Sequence, residues 1–307
     1  MPVEAKRDFL SLLDFSIEEL DYIIQRARQF RQMHERGEVY QPLAGKTGIL
    51  ILQMNSTRTR VAFEAGLNQL GGHVINLSPG DSQLGRGEPI EDFARVVSEM
   101  VDILMIRTAS QTDIETLAQF ATIPVINAMS AKLHPCQLLA DIQTFEELKG
   151  PIQGKTVAFV GDGYNMCHSY INAARQWGFY LKVASPDGYL PDPELLASTN
   201  NAELVATPTE AVDGADLVVT DVWSSMGHEG QESDRRSIFE PYQINEALLD
   251  QASAGVVFMH CLPAHRGEEV SDTLLDDPRS VVWHEAGNRL HTQKALMEFL
   301  LLGRVDS

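Results

Sequence analysis

Gly48-Ile49-Leu50-Ile51-Leu52-Gln53-Met54-Asn55-Ser56-Thr57-Arg58-Thr59-Arg60 runs from an apolar stretch straight into hydroxyls and guanidiniums. The first five residues are short and apolar enough for a buried strand. Beyond Arg60, Phe63, Leu67 and Leu70 recur at helical spacing, and Gly71-Gly72 stops them. A strand that turns directly into a helix leaves unpaired backbone N–H groups at the turn, where the helix dipole favours an anion. Ser56, Thr57 and Thr59 add hydroxyl donors, and the forks of Arg58 and Arg60 suit a phosphate's oxygens. A lone Ser-Thr pair would read as an ordinary N-cap. With two arginines beside it, this turn reads as a phosphate site.

Working outward, other apolar runs alternate with helical patterns. Ser16 and Glu19 make a capping box ahead of a helix whose apolar face is Leu20, Ile23, Ile24, Ala27 and Phe30. Strands are expected at Gly48–Leu52, Val74–Leu77, Asp102–Ile106 and Pro124–Asn127, followed by a helix over Gln137–Leu148. Gly150-Pro151 and Gly154 break the pattern, which places a domain boundary there. Strands resume at Thr156–Val160, Leu181–Ser185, Leu217–Thr220, Val256–His260 and Val281–Trp283. The reading is an α/β protein of two parallel-sheet domains, residues 1–149 and 150–289.

In such sheets ligands sit beyond the carboxyl ends of the strands, and polar residues collect there. They are Ser56–Arg60, Arg107-Thr108, His134-Pro135-Cys136-Gln137, Gly161-Asp162-Gly163-Tyr164-Asn165, Asp221 with Ser225-Met226-Gly227, and His260-Cys261-Leu262-Pro263. Taken singly, each has a plainer reading: Arg107 as an ion-pair partner, His134 as a cap, Asp221 as a turn residue, Cys261 as an inert core thiol. Their coincidence with the phosphate turn points to a cleft between the domains.

Composition bounds the chemistry. The chain has 307 residues, 44% of them apolar, and no run approaching the ~18 apolar residues of a membrane span. No signal-peptide pattern begins it, so a cytoplasmic protein is expected. A net charge of −19 disfavours nucleic acid, whose phosphates it would repel. Three cysteines, Cys136, Cys167 and Cys261, are too few and odd for a disulfide scaffold. Gly161-x-Gly163 lacks the third glycine of a dinucleotide fingerprint, since Met166 stands there. The His/Cys spacings do not follow the usual zinc patterns. No cofactor and no metal are expected. A cysteine nucleophile at Cys136 or Cys261, with His134 or His260 as base, stays open on residue types.

The strand-end motifs, in order and spacing, resemble those of ornithine carbamoyltransferases, within the aspartate/ornithine carbamoyltransferase family. So do Gln83-Leu84-Gly85-Arg86-Gly87-Glu88 and Asn288-Arg289-Leu290-His291. The resemblance covers Phe9 to about Leu300. It implies two Rossmann-like domains, with a C-terminal helix of about 290–307 returning to the first. It implies that Ser56, Thr57, Arg58 and Thr59 hold the phosphate of carbamoyl phosphate and that Arg107 bridges phosphate and carbamoyl oxygens. Gln83 would come from a neighbouring subunit of a homotrimer. His134, Pro135, Cys136 and Gln137 would hold the carbamoyl group with Cys261, Leu262 and Arg289. Asn165, Asp221, Ser225 and Met226 would bind L-ornithine, and Arg107, His134 and Cys261 would be the catalytic groups. Putrescine or an N-acylated ornithine stays open as acceptor. His260-Cys261-Leu262-Pro263 stands where aspartate-using relatives carry Pro-Leu-Pro-Arg, which disfavours aspartate. Gln53-Met54-Asn55 replaces a common Glu-Lys pair, Tyr164 a common asparagine, and Gly287 a common glutamate.

Overall fold

The structure, a computed structural model, describes residues 6–78, 87–224 and 232–305, without the side chains of 232–234. The chain forms two compact units, Met1–Ala140 with Asn288–Ser307, and Asp141–Gly287. Among the described residues, no helix is long and apolar enough to cross a membrane.

Unit 1 is built on β1 (Thr47–Leu52), β2 (His73–Leu77), β3 (Ile103–Arg107) and β4 (Val125–Met129), all parallel, in the order β2-β1-β3-β4. Its helices are α1 (Ile17–Glu35), α2 (Thr57–Gln69), α3 (Ile90–Ser98) and α4 (Gln111–Phe120), and the chain leaves the unit within α5 (Pro135–Lys149). The β3 and β4 side chains are buried throughout, as expected of strands covered on both faces. Phe93, Ala94 and Val97 of α3 and Ile114 and Leu117 of α4 pack with Ile49, Leu104 and Ile106 in one core. The capping box forms as its sequence implies: the Ser16 backbone N–H donates to Glu19 Oε2 at 2.9 Å, and the Glu19 N–H donates to Ser16 Oγ at 3.4 Å.

Unit 2 carries β5 (Thr156–Val160), β6 (Tyr180–Ala184), β7 (Ala202–Leu204), β8 (Leu217–Thr220) and β9 (Val257–His260), parallel, in the order β7-β6-β5-β8-β9. Its helices are α6 (Asn165–Trp177), α7 (Pro193–Ala197), α8 (Pro208–Val212), α9 (Glu232–Phe239) and α10 (Glu246–Leu249), and the chain returns to unit 1 within α11 (Val282–Leu302).

Two elements differ from the sequence reading. Val281–Trp283 is not a strand. The chain runs beside β9 only briefly, with the Phe258 N–H donating to the Arg279 carbonyl at 2.8 Å and the Val281 N–H to the Phe258 carbonyl at 3.0 Å. Helical bonding then takes over, because the Glu285 N–H finds the Val281 carbonyl at 3.0 Å. Conversely, β7 escaped notice because it is a three-residue edge strand with exposed Glu203 and Leu204, so it shows no buried periodicity.

Each sheet changes direction of growth once, between β1 and β3 in unit 1 and between β5 and β8 in unit 2. Those switch points are where open parallel sheets receive ligands. The register pairs Leu52 with Arg107, so the turn after β1 and the end of β3 lie side by side.

Candidate functional site

At the unit 1 switch point, Ser56 caps α2 by accepting the Thr59 N–H at 3.2 Å. The buried Thr59 Oγ1 has no hydrogen-bond partner among the described residues. An unpaired buried hydroxyl costs about 1–3 kcal/mol, a debt that bound ligand oxygens would relieve. Arg58 is half-buried, Thr57 is exposed, and Arg60 is exposed and paired with Glu64 at 3.2 Å. The turn therefore offers one guanidinium rather than the two its sequence suggests, because two residues along the helix swing Arg60 about 200° from Arg58, away along the surface.

Arg107 is the last residue of β3 and is buried. Gln53 braces it: the Gln53 N–H donates to the Arg107 carbonyl at 2.9 Å, and Thr108 Oγ1 donates to Gln53 Oε1 at 2.5 Å. The loop after β4 is shaped by Ser130, whose hydroxyl donates to Gln111 Oε1 at 2.7 Å and accepts the Leu133 N–H at 2.9 Å. Neither Ser130 nor Gln111 stood out in the sequence, since single polar residues in a loop carry no periodic signal.

That loop delivers His134 to the start of α5, where it is buried. Burial, and then the charges of Arg289, Arg107 and Arg58, hold the His134 imidazole well below its usual value, so it is neutral at physiological pH. Three guanidiniums thus converge electrostatically on one neutral ring, inside a chain of net charge −19. Arg289, on α11, donates through Nη1 to Gln137 Oε1 at 2.5 Å, and both are buried. Pro135 opens α5, where the Gln137 N–H donates to the His134 carbonyl at 3.1 Å and the Cys136 N–H points toward the helix's own N-terminal end.

Cys136 does not behave as a nucleophile. Its thiol donates to the Asn127 carbonyl at 3.4 Å, and burial pushes it up to about 12. A proton transfer from that thiol to an imidazole below 6.5 would climb at least five pK units, about 7 kcal/mol. What Cys136 can offer a ligand is backbone N–H alone.

In unit 2, β5 ends in the Gly161–Tyr164 turn and delivers Asn165, buried, as the first residue of α6. A Cβ on Gly163 would lie 2.3 Å from the Pro191 nitrogen and 2.5 Å from the Leu190 carbonyl carbon. Gly163 is therefore required for close backbone packing against Tyr189–Pro191.

Asp221 leaves the end of β8, buried; its Oδ1 accepts the Val222 N–H at 2.8 Å and the Cys261 thiol at 3.2 Å. Burial, and then Asp221, raise the Cys261 thiol well above 9.0. Glu285 and Asp141 act in the same direction. His260 cannot serve as its base. The Leu262 N–H donates to His260 Nδ1 at 2.8 Å, which fixes the proton on Nε2, and Nε2 meets Glu269 Oε1 at 3.1 Å. Leu262 takes a φ of 56°, so the chain bends sharply just after the cysteine. Asp141, Asp162, Asp221, Glu269 and Glu285 are all buried in this unit, a negative setting that suits an amine. Of these, Asp141, Glu269 and Glu285 went unread because a carboxylate on a helix or loop looks like ordinary surface in sequence.

Asp221, His260 and Cys261 bring possible metal-ligand atoms within 4.8 Å of one another. Both ring nitrogens, the thiol and Asp221 Oδ1 are already engaged in the bonds just given. Gln83, Ser225 and Met226 lie outside the described residues.

Comparison with known proteins also finds two domains in the chain. Residues 7–147 match the family description "Aspartate/ornithine carbamoyltransferase, carbamoyl-P binding domain", and residues 153–300 match its "Asp/Orn binding domain". The chain is 56% identical over 300 residues to an ornithine carbamoyltransferase of Psychrobacter sp., covering 97% of this chain and 98% of that one. It is 55% identical over 296 residues to the anabolic ornithine carbamoyltransferase of Pseudomonas aeruginosa, covering 96% and 97%. The solved ornithine carbamoyltransferase of Pyrococcus furiosus superposes with a TM-score of 0.93 at 46% identity, covering 98% of this chain and 99% of that one.

Proposed function

The chain belongs to the aspartate/ornithine carbamoyltransferase family, and we propose a division of labour within its activity. That activity moves the carbamoyl group of carbamoyl phosphate to the side-chain amine of L-ornithine, giving L-citrulline and phosphate for arginine biosynthesis. Unit 1 takes carbamoyl phosphate and unit 2 takes ornithine. The observation that carries the division is the neutral His134 among Arg58, Arg107 and Arg289, against a unit 2 whose buried charges are mainly carboxylates.

Ser56, Thr57, Arg58 and Thr59 grip the phosphate, with the N-terminus of α2 behind them. Arg107 bridges the phosphate and carbamoyl oxygens. His134 gives an N–H to the carbamoyl oxygen, and Gln137 holds Arg289 in place through its Oε1. In unit 2, Asp221 pairs with the α-ammonium and Asn165 with the α-carboxylate, and Ser225 and Met226 complete the set. Cys261 and Leu262 help hold the carbamoyl group, and Cys261 also lies near the reacting amine.

The neutral amine attacks the carbonyl carbon, and the oxygen gains negative charge. Arg107 and His134 stabilise that oxyanion, each such donor being worth roughly 3 kcal/mol. The bond to the phosphate oxygen then breaks, and phosphate leaves with the proton shed by the amine. Cys261 accepts a hydrogen bond from the amine while its own S–H stays on Asp221. Its sulfur, already protonated, does not itself take the amine's proton.

The working protein is a cytoplasmic homotrimer. Unit 1 leaves Val61 on α2, Ile75 on edge strand β2, Val96 and Met100 exposed, apolar side chains that a second copy would cover. Light scattering should give a mass of about three 34.0 kDa chains; a monomer would end the trimer proposal. Citrulline formation, assayed beside putrescine and aspartate, tests the acceptor. Faster carbamoylation of putrescine would overturn the placement of Asp221 and Asn165.

A further inference from the structure

Arg235 sits on α9, is buried, and reaches three separate strand-end loops of unit 2. Its Nε donates to the Trp223 carbonyl at 2.5 Å, two residues past Asp221. Its Nη2 pairs with Asp162 Oδ2, in the turn just ahead of Asn165. Its guanidinium lies 4.5 Å from the Tyr189 ring centroid and 5.1 Å from that of Phe239. Tyr189 is itself tied to the same turn, because its carbonyl accepts the Gly163 N–H at 2.8 Å. One planar fork therefore joins the exits of β5, β6 and β8, packed against two aromatic rings whose centroids are 4.9 Å apart in edge contact.

We propose that Arg235 is a positioning residue for the amino-acid half of the site, fixing the spacing between Asp221 and Asn165 by bonding the Trp223 carbonyl and the Asp162 carboxylate at once. This rests on the assignment of those two residues to ornithine's α-ammonium and α-carboxylate. The physical need is specific to arginine. A guanidinium presents Nε–H and Nη–H in a rigid plane and stacks on aromatics, whereas a lysine ammonium is a point charge on a flexible stem. The α-amino and α-carboxylate groups of an amino acid are held a fixed distance apart by one carbon, so their two partners must be held apart equally firmly. Burial raises the Asp162 carboxyl, the Asp221 charge adds to that, and the Arg235 cation acts against both.

The test compares wild type with Arg235→Lys and Arg235→Ala, measuring KM for ornithine and for carbamoyl phosphate, with and without millimolar guanidinium chloride. Arg235→Lys keeps the charge and should fold. It is expected to raise the ornithine KM about tenfold and to change the carbamoyl phosphate KM less than about twofold. In Arg235→Ala, guanidinium should enter the space vacated beside Tyr189 and Phe239 and recover at least about fivefold of the lost ornithine affinity. An Arg235→Lys enzyme with wild-type ornithine KM would overturn the proposal. So would equal shifts of both KM values together with no guanidinium rescue, since that marks general loosening of the unit. Wild type that forms no citrulline would instead sink the ornithine assignment itself.

Discussion

The Cys261 thiol donates to Asp221 Oδ1 across 3.2 Å, so the residue that looks like a nucleophile is spent as a hydrogen-bond donor. Burial and the Asp221 carboxylate keep the sulfur protonated. Cys136, pushed up to about 12, is protonated too. Iodoacetamide at pH 8 should therefore label the native protein at least about tenfold more slowly than free cysteine, because the thiolate is the attacking species. Rapid labelling of Cys261 would contradict its protonated state.

The same pair fixes what a charge deletion should do. Asp221→Asn keeps the shape and an oxygen that can accept the thiol, but removes the negative charge. The ornithine KM should rise by about 100-fold, roughly 3 kcal/mol, while the carbamoyl phosphate KM moves far less. Equal effects on the two substrates would argue against Asp221 as the ammonium partner.

Thr59→Val tests the phosphate turn without disturbing the fold. The buried Thr59 Oγ1 has no protein partner among the described residues, so removing it relieves a desolvation cost. Thermal stability should hold or rise, and the carbamoyl phosphate KM should increase about tenfold. A fall in Tm with an unchanged KM would assign the hydroxyl to structure.

His134 gives a pH signature. Its folded value lies well below the 6.5 of the unfolded chain, so below pH 6.5 the unfolded state binds a proton that the folded state refuses. Stability contributed by the neutral ring is fully present above 6.5 and is lost as pH falls through and below that value. The difference in unfolding free energy between wild type and His134→Gln should shrink by up to about 1.4 kcal/mol per pH unit there. A difference that stays flat from pH 7 to 5 would refute a depressed His134.

Gly163→Ala should be costly. The added Cβ would lie 2.3–2.6 Å from backbone atoms of Tyr189, Leu190 and Pro191, which cannot swing aside as a side chain would. A loss of about 1–3 kcal/mol is expected by chemical denaturation. Wild-type stability would show that the Tyr189–Pro191 backbone can yield.

Much of this was legible from local pattern. Apolar runs of four to six residues followed by helical spacing announced the parallel sheets, because burial on both faces leaves a strand no polar alternation to hide in. The turn after β1 raised the expectation of an anion site, because hydroxyls and an arginine stand together at a helix start. The three-residue β7 and the true start of α11 escaped, being settled by edge pairing and by Val281 breaking away from β9.

The sequence by itself determined the fold class and the chemical types at each strand end, since both follow from the periodicity of burial and from helix-terminus electrostatics. Only the tertiary structure decided which of those groups act together and in what protonation state. It turned Arg60 outward to Glu64 and drew Arg289 to Gln137 from 152 positions away. It took the basicity from His134, protonated Cys136 and Cys261, and spent both nitrogens of His260. These outcomes depend on desolvation and on charges brought close by folding, and neither quantity exists until the chain has closed around them.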